Sequence, residues 1–275
     1  MRWIMSLACL SMLLLPLASA QLPAPVKIPE PLAGSLVIVG GGTIPDSVVE
    51  AFHKLAGGAK AKLVVIPTAS ASADKEATKA NIDLWEKRGF TNVTVLHTRD
   101  RDKANDAKFA QPLMDATAVW FGGGDQTKIM EAYAGTLAEK ALHALLKRGG
   151  VIGGTSAGAA VMSKLMIAGG DAKTPRLGEG FGFLPSAVVD QHFLKRNRAD
   201  RLLEVLHANP GWFGVGIDEQ TALVVQGRTI HVVGNSYVVV CQRSTERRRA
   251  SVQFLPAGAK SDWIDWSKGA LERTK

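Results

Sequence analysis

The chain has 275 residues, 33 Lys plus Arg against 25 Asp plus Glu, and a formal net charge of +8. With 46% hydrophobic and 21% charged residues its composition is globular, which excludes disordered, collagen-like and coiled-coil chains. The length suits one large α/β domain or two small ones; the basic balance alone does not choose among nucleic acid, an anionic surface and an acidic substrate.

The first twenty residues have the form of a secretory signal peptide: Arg2 at the start, an apolar run from Leu7 to Leu17, and Ala18-Ser19-Ala20 as a small-residue cleavage site. The run falls short of the roughly 20 residues that span a bilayer. Cleavage after Ala20 is therefore expected, with no stable membrane insertion afterwards and a secreted or periplasmic location. Losing Arg2 lowers the charge from +8 to +7, and losing Cys9 leaves Cys241 alone, so no internal disulfide forms. Residues 21–33, with Pro23, Pro25, Pro29 and Pro31, read as an extended tether, and residues 34–275 as a single domain.

Short β-branched runs at 36–39, 63–66, 93–96, 118–121 and 151–152 alternate with segments of helical apolar spacing, such as Val48, Val49, Phe52 and Leu55, or Leu137, Ala141, Leu142 and Leu145. That alternation predicts a mainly parallel sheet covered on both faces, a three-layer, doubly wound α/β sandwich. From about Gly211, runs at 215–217, 221–226, 229–233, 237–241 and 251–255 follow one another through Gly and Asn turns, predicting an antiparallel extension of that sheet. The cluster Arg243, Arg247, Arg248 and Arg249 reads as a solvated loop.

Ligands in α/β sheets gather beyond the carboxyl ends of the strands. Three glycine-rich strand ends qualify: Gly40-Gly41-Gly42, Gly122-Gly123-Gly124-Asp125-Gln126 and Gly153-Gly154-Thr155-Ser156-Ala157-Gly158. The last places G-x-S-x-G between an apolar strand and a helix, the context of a nucleophile elbow. Ser156 is the expected nucleophile, and the amide of Ala157 at the helix start an oxyanion donor. The P-loop ending and the dinucleotide spacing are both missing from these turns, and neither H-E-x-x-H nor close Cys/His spacing suggests a metal, so no cofactor is expected.

A serine needs a base, usually histidine. His53 and His143 lie in amphipathic helices, His207 near a helix end and His231 within a strand; His97 ends a strand without polar company. His192, after the apolar run Ala187-Val188-Val189, is the expected base. Asp171, Glu179, Asp190, Asp218 and Glu219 are candidates for the orienting carboxylate. Glu219, at a rigid strand-to-strand reversal, is preferred over Asp171.

These stretches, with Asp190-Gln191-His192-Phe193, the arginines at 196, 198 and 201, and Gly216-Ile217-Asp218-Glu219, resemble the cyanophycinase family. Its members are related to aspartyl dipeptidases (peptidase E), on a fold similar to class I glutamine amidotransferases. The resemblance implies Ser156 as nucleophile, His192 as base, Glu219 as acid, and Gly123, Gly124 and Ala157 as oxyanion donors. It also implies substrate contacts from Asp125, Gln126, Asp190, Gln191, Arg196, Arg198 and Arg201, a homodimer, and chemistry without a metal. The order Ser, His, acid differs from that of ordinary α/β-hydrolases. The implied substrate is cyanophycin, an aspartate chain bearing arginine on each side-chain carboxyl, or a shorter β-aspartyl peptide, and not nucleic acid. The rival readings are an exported aspartyl or isoaspartyl dipeptidase and a non-catalytic polyanion-binding protein.

Overall fold

The structure, a computed structural model, describes residues 27–274, the side chains of Glu76 and Ala77 excepted. The expected leader and residues 21–26 of the expected tether lie outside the described residues. Strands and helices alternate as β1 (Leu32–Val39), α1 (Asp46–Ala56), β2 (Leu63–Ile66), α2 (Ala73–Glu86), β3 (Val93–Val95), α3 (Arg101–Ala104), α4 (Ala107–Asp115), β4 (Ala118–Phe121), α5 (Gln126–Tyr133), α6 (Leu137–Lys147), β5 (Val151–Thr155) and α7 (Ala157–Ala160). The chain continues through β6 (Leu165–Gly169), β7 (Arg176–Glu179), β8 (Ala187–Gln191), α8 (Ala199–Ala208), β9 (Phe213–Ile217), β10 (Thr221–Gly227), β11 (Thr229–Gly234), β12 (Tyr237–Gln242), β13 (Ser251–Pro256), β14 (Lys260–Asp262) and α9 (Trp263–Glu272). β1 takes in the last two residues expected as tether. No helix among the described residues is long and apolar enough to cross a membrane.

The central sheet runs β14-β11-β10-β1-β5-β4-β2-β3, with β1, β5, β4, β2 and β3 parallel and β10, β11 and β14 antiparallel beyond β1. This is the mixed α/β fold expected from the alternation of strands and helices. The extension differs in one respect. β9, β12 and β13 do not join it but form a second sheet, β13-β12-β9-β8, in which β8 and β9 are parallel. The expected run of consecutive hairpins is thus divided: the chain leaves the second sheet after β9, makes β10 and β11 in the first, and returns as β12.

The alternation along each strand decides which core it feeds. Leu36 and Ile38 of β1 and Val119 and Phe121 of β4 face α4 to α7 and the inner side of the second sheet, in one continuous core with Val189, Val215 and Val240. Val37, Val39 and Trp120 face the other way, onto α1 and α2. There Phe52, Trp85, Phe90 and Trp120 interlock, with ring centroids 4.9 Å apart for Phe52 and Trp120 and 4.8 Å for Trp85 and Trp120. The outer side of the second sheet is closed by Leu202, Val205 and Leu206 of α8.

Phe52 is fully buried at the centre of this aromatic group. Phe52→Ala should cost about 3–5 kcal/mol of unfolding free energy, read by urea denaturation; a loss below about 1 kcal/mol would show that the face closes without it.

Candidate active site

The carboxyl ends of β1, β4 and β5 in one sheet and of β8 and β9 in the other converge. β1 ends at their meeting point, and its last carbonyls and the glycine turn after it bind the segments that carry Ser156, His192 and Glu219 through the main chain. The carbonyl of Val39 accepts the amide of Ser156 (3.1 Å), that of Gly40 accepts the amide of His192 (2.7 Å), and that of Gly41 accepts the amide of Gln220 (2.9 Å). The Gly40 amide donates to the carbonyl of Thr221 (3.0 Å).

Ser156 sits between β5 and α7 at φ 53°, ψ −109°. This is the strained turn of a nucleophile elbow, with a non-glycine residue at positive φ. Its Oγ lies 2.9 Å from Nε2 of His192. Nδ1 of the same ring lies 2.6 Å from Oε1 of Glu219. Hydroxyl, imidazole and carboxylate therefore form one hydrogen-bonded line, the arrangement in which a base takes a serine proton while a carboxylate holds the resulting cation. His192 is itself at positive φ (49°). Burial holds its pKa below the ordinary histidine value; the Glu219 hydrogen bond opposes this, and the positive charge of Arg196 and Arg198 adds to it.

The other candidate acids are engaged elsewhere. Asp171 is exposed and accepts from the amides of Lys173 and Thr174. Asp218 accepts from the Lys195 amide and the Ser236 hydroxyl. Glu179 pairs with Lys164.

The Gly122–Gly124 turn lies beside the serine, with the Gly123 Cβ position 3.5 Å from Cβ of Ser156. The amide of Gly122 is used by the Ile66 carbonyl and that of Asp125 by the Ala69 carbonyl. Asp125 is exposed and caps α5, accepting from the amide and hydroxyl of Thr127, with Arg176 of β7 near enough to help lower its pKa. Gln126 is buried and donates to the carbonyl of Ile167 (3.0 Å).

Asp190 and Arg201 are brought to the site but face each other. The Asp190 side chain is fully buried and takes both Nε and Nη2 of Arg201, whose Nη1 donates to the Gly170 carbonyl. Their charged atoms are thus turned toward each other and the main chain, and little of either residue is exposed. Arg198 stands on this pair: its Nη1 donates to the carbonyl (2.6 Å) and Oε1 (2.9 Å) of Gln191 and reaches Asp190 at 3.4 Å. Arg196 is exposed and makes no salt bridge among the described residues.

One expectation needs revision. His97 has polar company after all, bonding Thr68 and Asp74. The Gly40–Gly42 turn, one of the three glycine-rich strand ends singled out in the sequence, packs directly against His192 and Glu219. A Cβ on Gly41 (φ 123°) would lie 2.3 Å from Cε1 of His192, and one on Gly42 would lie 3.2 Å from Oε2 of Glu219. The available signal was the glycine run itself, at a strand end. Among the described residues no group of three or more His, Cys, Asp or Glu side chains is placed to hold a metal ion.

Two outcomes follow from this geometry. Gly41→Ala should lower kcat by about 100-fold, because the methyl displaces the imidazole; turnover at the wild-type rate would show that the ring has room. Since a histidine base acts only when neutral, and the pKa of His192 is depressed, kcat/KM should rise with pH and level off after a midpoint below the ordinary histidine value. A midpoint above that value would mean that Glu219 outweighs burial.

Residues 36–233 match the model of peptidase family S51. The chain is 34% identical over 223 residues to a cyanophycinase of Geminocystis herdmanii, covering 76% of this chain and 80% of that protein. It is 31% identical over 230 residues to a cyanophycinase of Trichormus variabilis, covering 78% and 76%. Among solved structures it is similar to a peptidase from an acI-B1 actinobacterium, with a TM-score of 0.64 and 25% identity over 84% of this chain and 97% of that one. The chain belongs to peptidase family S51.

Proposed function

We propose that this protein is a serine peptidase that hydrolyses the aspartate backbone of cyanophycin and releases β-aspartyl-arginine dipeptides. The observation that carries the reading is the continuous line from Ser156 through His192 to Glu219, in a chain whose similar relatives are named cyanophycinase. Oγ of Ser156 attacks the scissile carbonyl carbon while Nε2 of His192 takes its proton, and Glu219 stabilises the imidazolium. The amides of Gly123, Gly124 and Ala157 receive the negative charge that develops on the carbonyl oxygen. His192 then gives its proton to the leaving amine, and a water activated by the same ring releases the acyl group.

Each unit of the polymer offers a carboxylate and a guanidinium, so its site needs both signs. Arg196 and Arg198 serve the carboxylates, Asp125 serves a guanidinium, and Gln126 and Gln191 shape the wall. Asp190 and Arg201 act from below by fixing Arg198. A binding protein without catalysis would give the strained serine and its hydrogen-bonded partners no purpose.

Ser156→Ala should lower turnover by about 10⁴- to 10⁶-fold, measured as dipeptide release from insoluble cyanophycin and identified by mass. Retained hydrolysis would overturn the mechanism. Cleavage of β-aspartyl dipeptides with no action on the polymer would overturn the substrate. Export and pairing belong to the same proposal: the mature chain should begin at Gln21 by N-terminal sequencing and have the light-scattering mass of two chains. An intact Met1 or a one-chain mass would contradict the corresponding part.

A further inference from the structure

A second network of hydrogen-bonded side chains stands behind the Gly122–Gly124 turn, at the ends of β2 and β3. Arg99 donates Nη1–H to the carbonyl of Thr68 (2.9 Å) and Nη2–H to that of Ser70 (2.9 Å), so one guanidinium holds the carbonyls on both sides of Ala69. Its Nε–H donates to Oδ2 of Asp74 (2.8 Å). Oδ1 of Asp74 accepts from Nε2 of His97 (2.8 Å), which leaves Nδ1 of that ring to accept the Thr68 hydroxyl proton (2.8 Å). The Thr68 oxygen accepts in turn from the Tyr133 hydroxyl (2.8 Å), and the Tyr133 oxygen from the Thr98 amide (3.3 Å). With the Nε2–H tautomer every donor in this chain has one acceptor and all bonds run in consistent directions.

What the network holds is the floor of the glycine turn. The carbonyl of Ala69 accepts the Asp125 amide (2.9 Å), and a Cβ on Gly124 would lie 2.1 Å from that same oxygen. The Gly122 amide binds the Ile66 carbonyl just before this segment (3.0 Å). Thr68 is fully buried, so its hydroxyl has no water to fall back on. Arg99, ahead of His97, holds the Asp74 carboxyl below its ordinary pKa, which keeps it ionised between the two.

We propose that Arg99, Asp74 and His97 are positioning residues for the reaction, fixing the Pro67–Ser70 segment on which the oxyanion-binding amides of Gly123 and Gly124 rest. This builds on the serine mechanism above. None of the three is hydrogen-bonded to Ser156, His192 or Glu219; their effect passes through the main chain of residues 68–70 to that of 122–125. Losing the support lets the amides drift from the oxyanion, which lowers the rate of the chemical step and leaves the groups that bind substrate in place.

The test uses Asp74→Asn and Arg99→Gln in the full-length protein, with kcat and KM on cyanophycin and the rate of Ser156 labelling by a simple fluorophosphonate. That reagent needs only the serine, its base and the oxyanion amides. Both variants should lose about 10- to 100-fold in kcat and in labelling rate, with KM within about twofold and the thermal midpoint close to that of wild type. Labelling of the folded variants at the wild-type rate, or a loss confined to KM, would overturn the positioning role while leaving the serine mechanism intact. Absence of labelling in the wild type would overturn both. Should Arg99→Gln fail to fold, Asp74→Asn decides alone, because the Asp74 side chain is 53% exposed and its change empties no core.

Discussion

The site depends on the main chain at the end of β1. Backbone amides and carbonyls are obligatory hydrogen-bonding groups, and here those of residues 39 to 41 are shared with Ser156, His192, Gln220 and Thr221. Each segment that carries a member of the hydrogen-bonded line is therefore fixed to one short stretch before any side chain interacts. Ser156 and His192 both sit at positive φ, a cost of about 1–3 kcal/mol each that persists only where surrounding bonds over-determine the conformation. The same bonds explain the glycines. A chain that passes this close to an imidazole and a carboxylate has no volume for a side chain at position 41, and little at 42.

Charge is divided between structure and site. Arg201 is spent on a buried carboxylate and a carbonyl. A buried pair of this kind contributes little net stability, because desolvation offsets attraction; its use here is rigidity beneath Arg198. The cluster after β12 is a largely exposed loop, as expected, and it has partners in the C-terminal segment. Arg273 of the C-terminal segment donates to the carbonyls of Arg243 and Arg249, and Arg248 pairs with Glu272. Arg248 and Arg273 thus tie the loop to the end of α9, whereas Arg196 is exposed and makes no salt bridge among the described residues.

Ser156 and His192 were legible in the sequence because each is announced locally, one by small residues between a strand and a helix, the other by polar residues directly after an apolar run. Glu219 was legible for a weaker reason, its place at a tight reversal, and Asp171 competed until distance separated them. What stayed hidden is non-local. Nothing near Tyr237 says that it pairs back to the strand before β10 and not to the one before itself, so the second sheet could not be read from hairpin spacing. His97 seemed isolated because its partners, Thr68 and Asp74, are 29 and 23 residues away in sequence. The arginines after His192 were visible as a group, but whether a guanidinium faces solvent or a buried aspartate depends on how α8 packs, which its apolar spacing leaves open.

The second sheet accounts for the meeting of His192 and Glu219. β8 and β9 are parallel neighbours in register, Asp190 opposite Gly216 and Gln191 opposite Ile217. Residues that follow two adjacent parallel strands emerge side by side, about 4.8 Å apart, so His192 and the Asp218-Glu219 turn meet as a consequence of strand pairing. His192 and Glu219 thus form a unit carried by one sheet, while Ser156 is carried by β5 of the other. The Ser156 to His192 bond crosses between sheets, and the His192 to Glu219 bond does not. Movement of one sheet against the other would break the first and spare the second. The end of β1 and the turn after it, bonded to Ser156 by Val39 and to His192 by Gly40, are the part of the chain placed to prevent it.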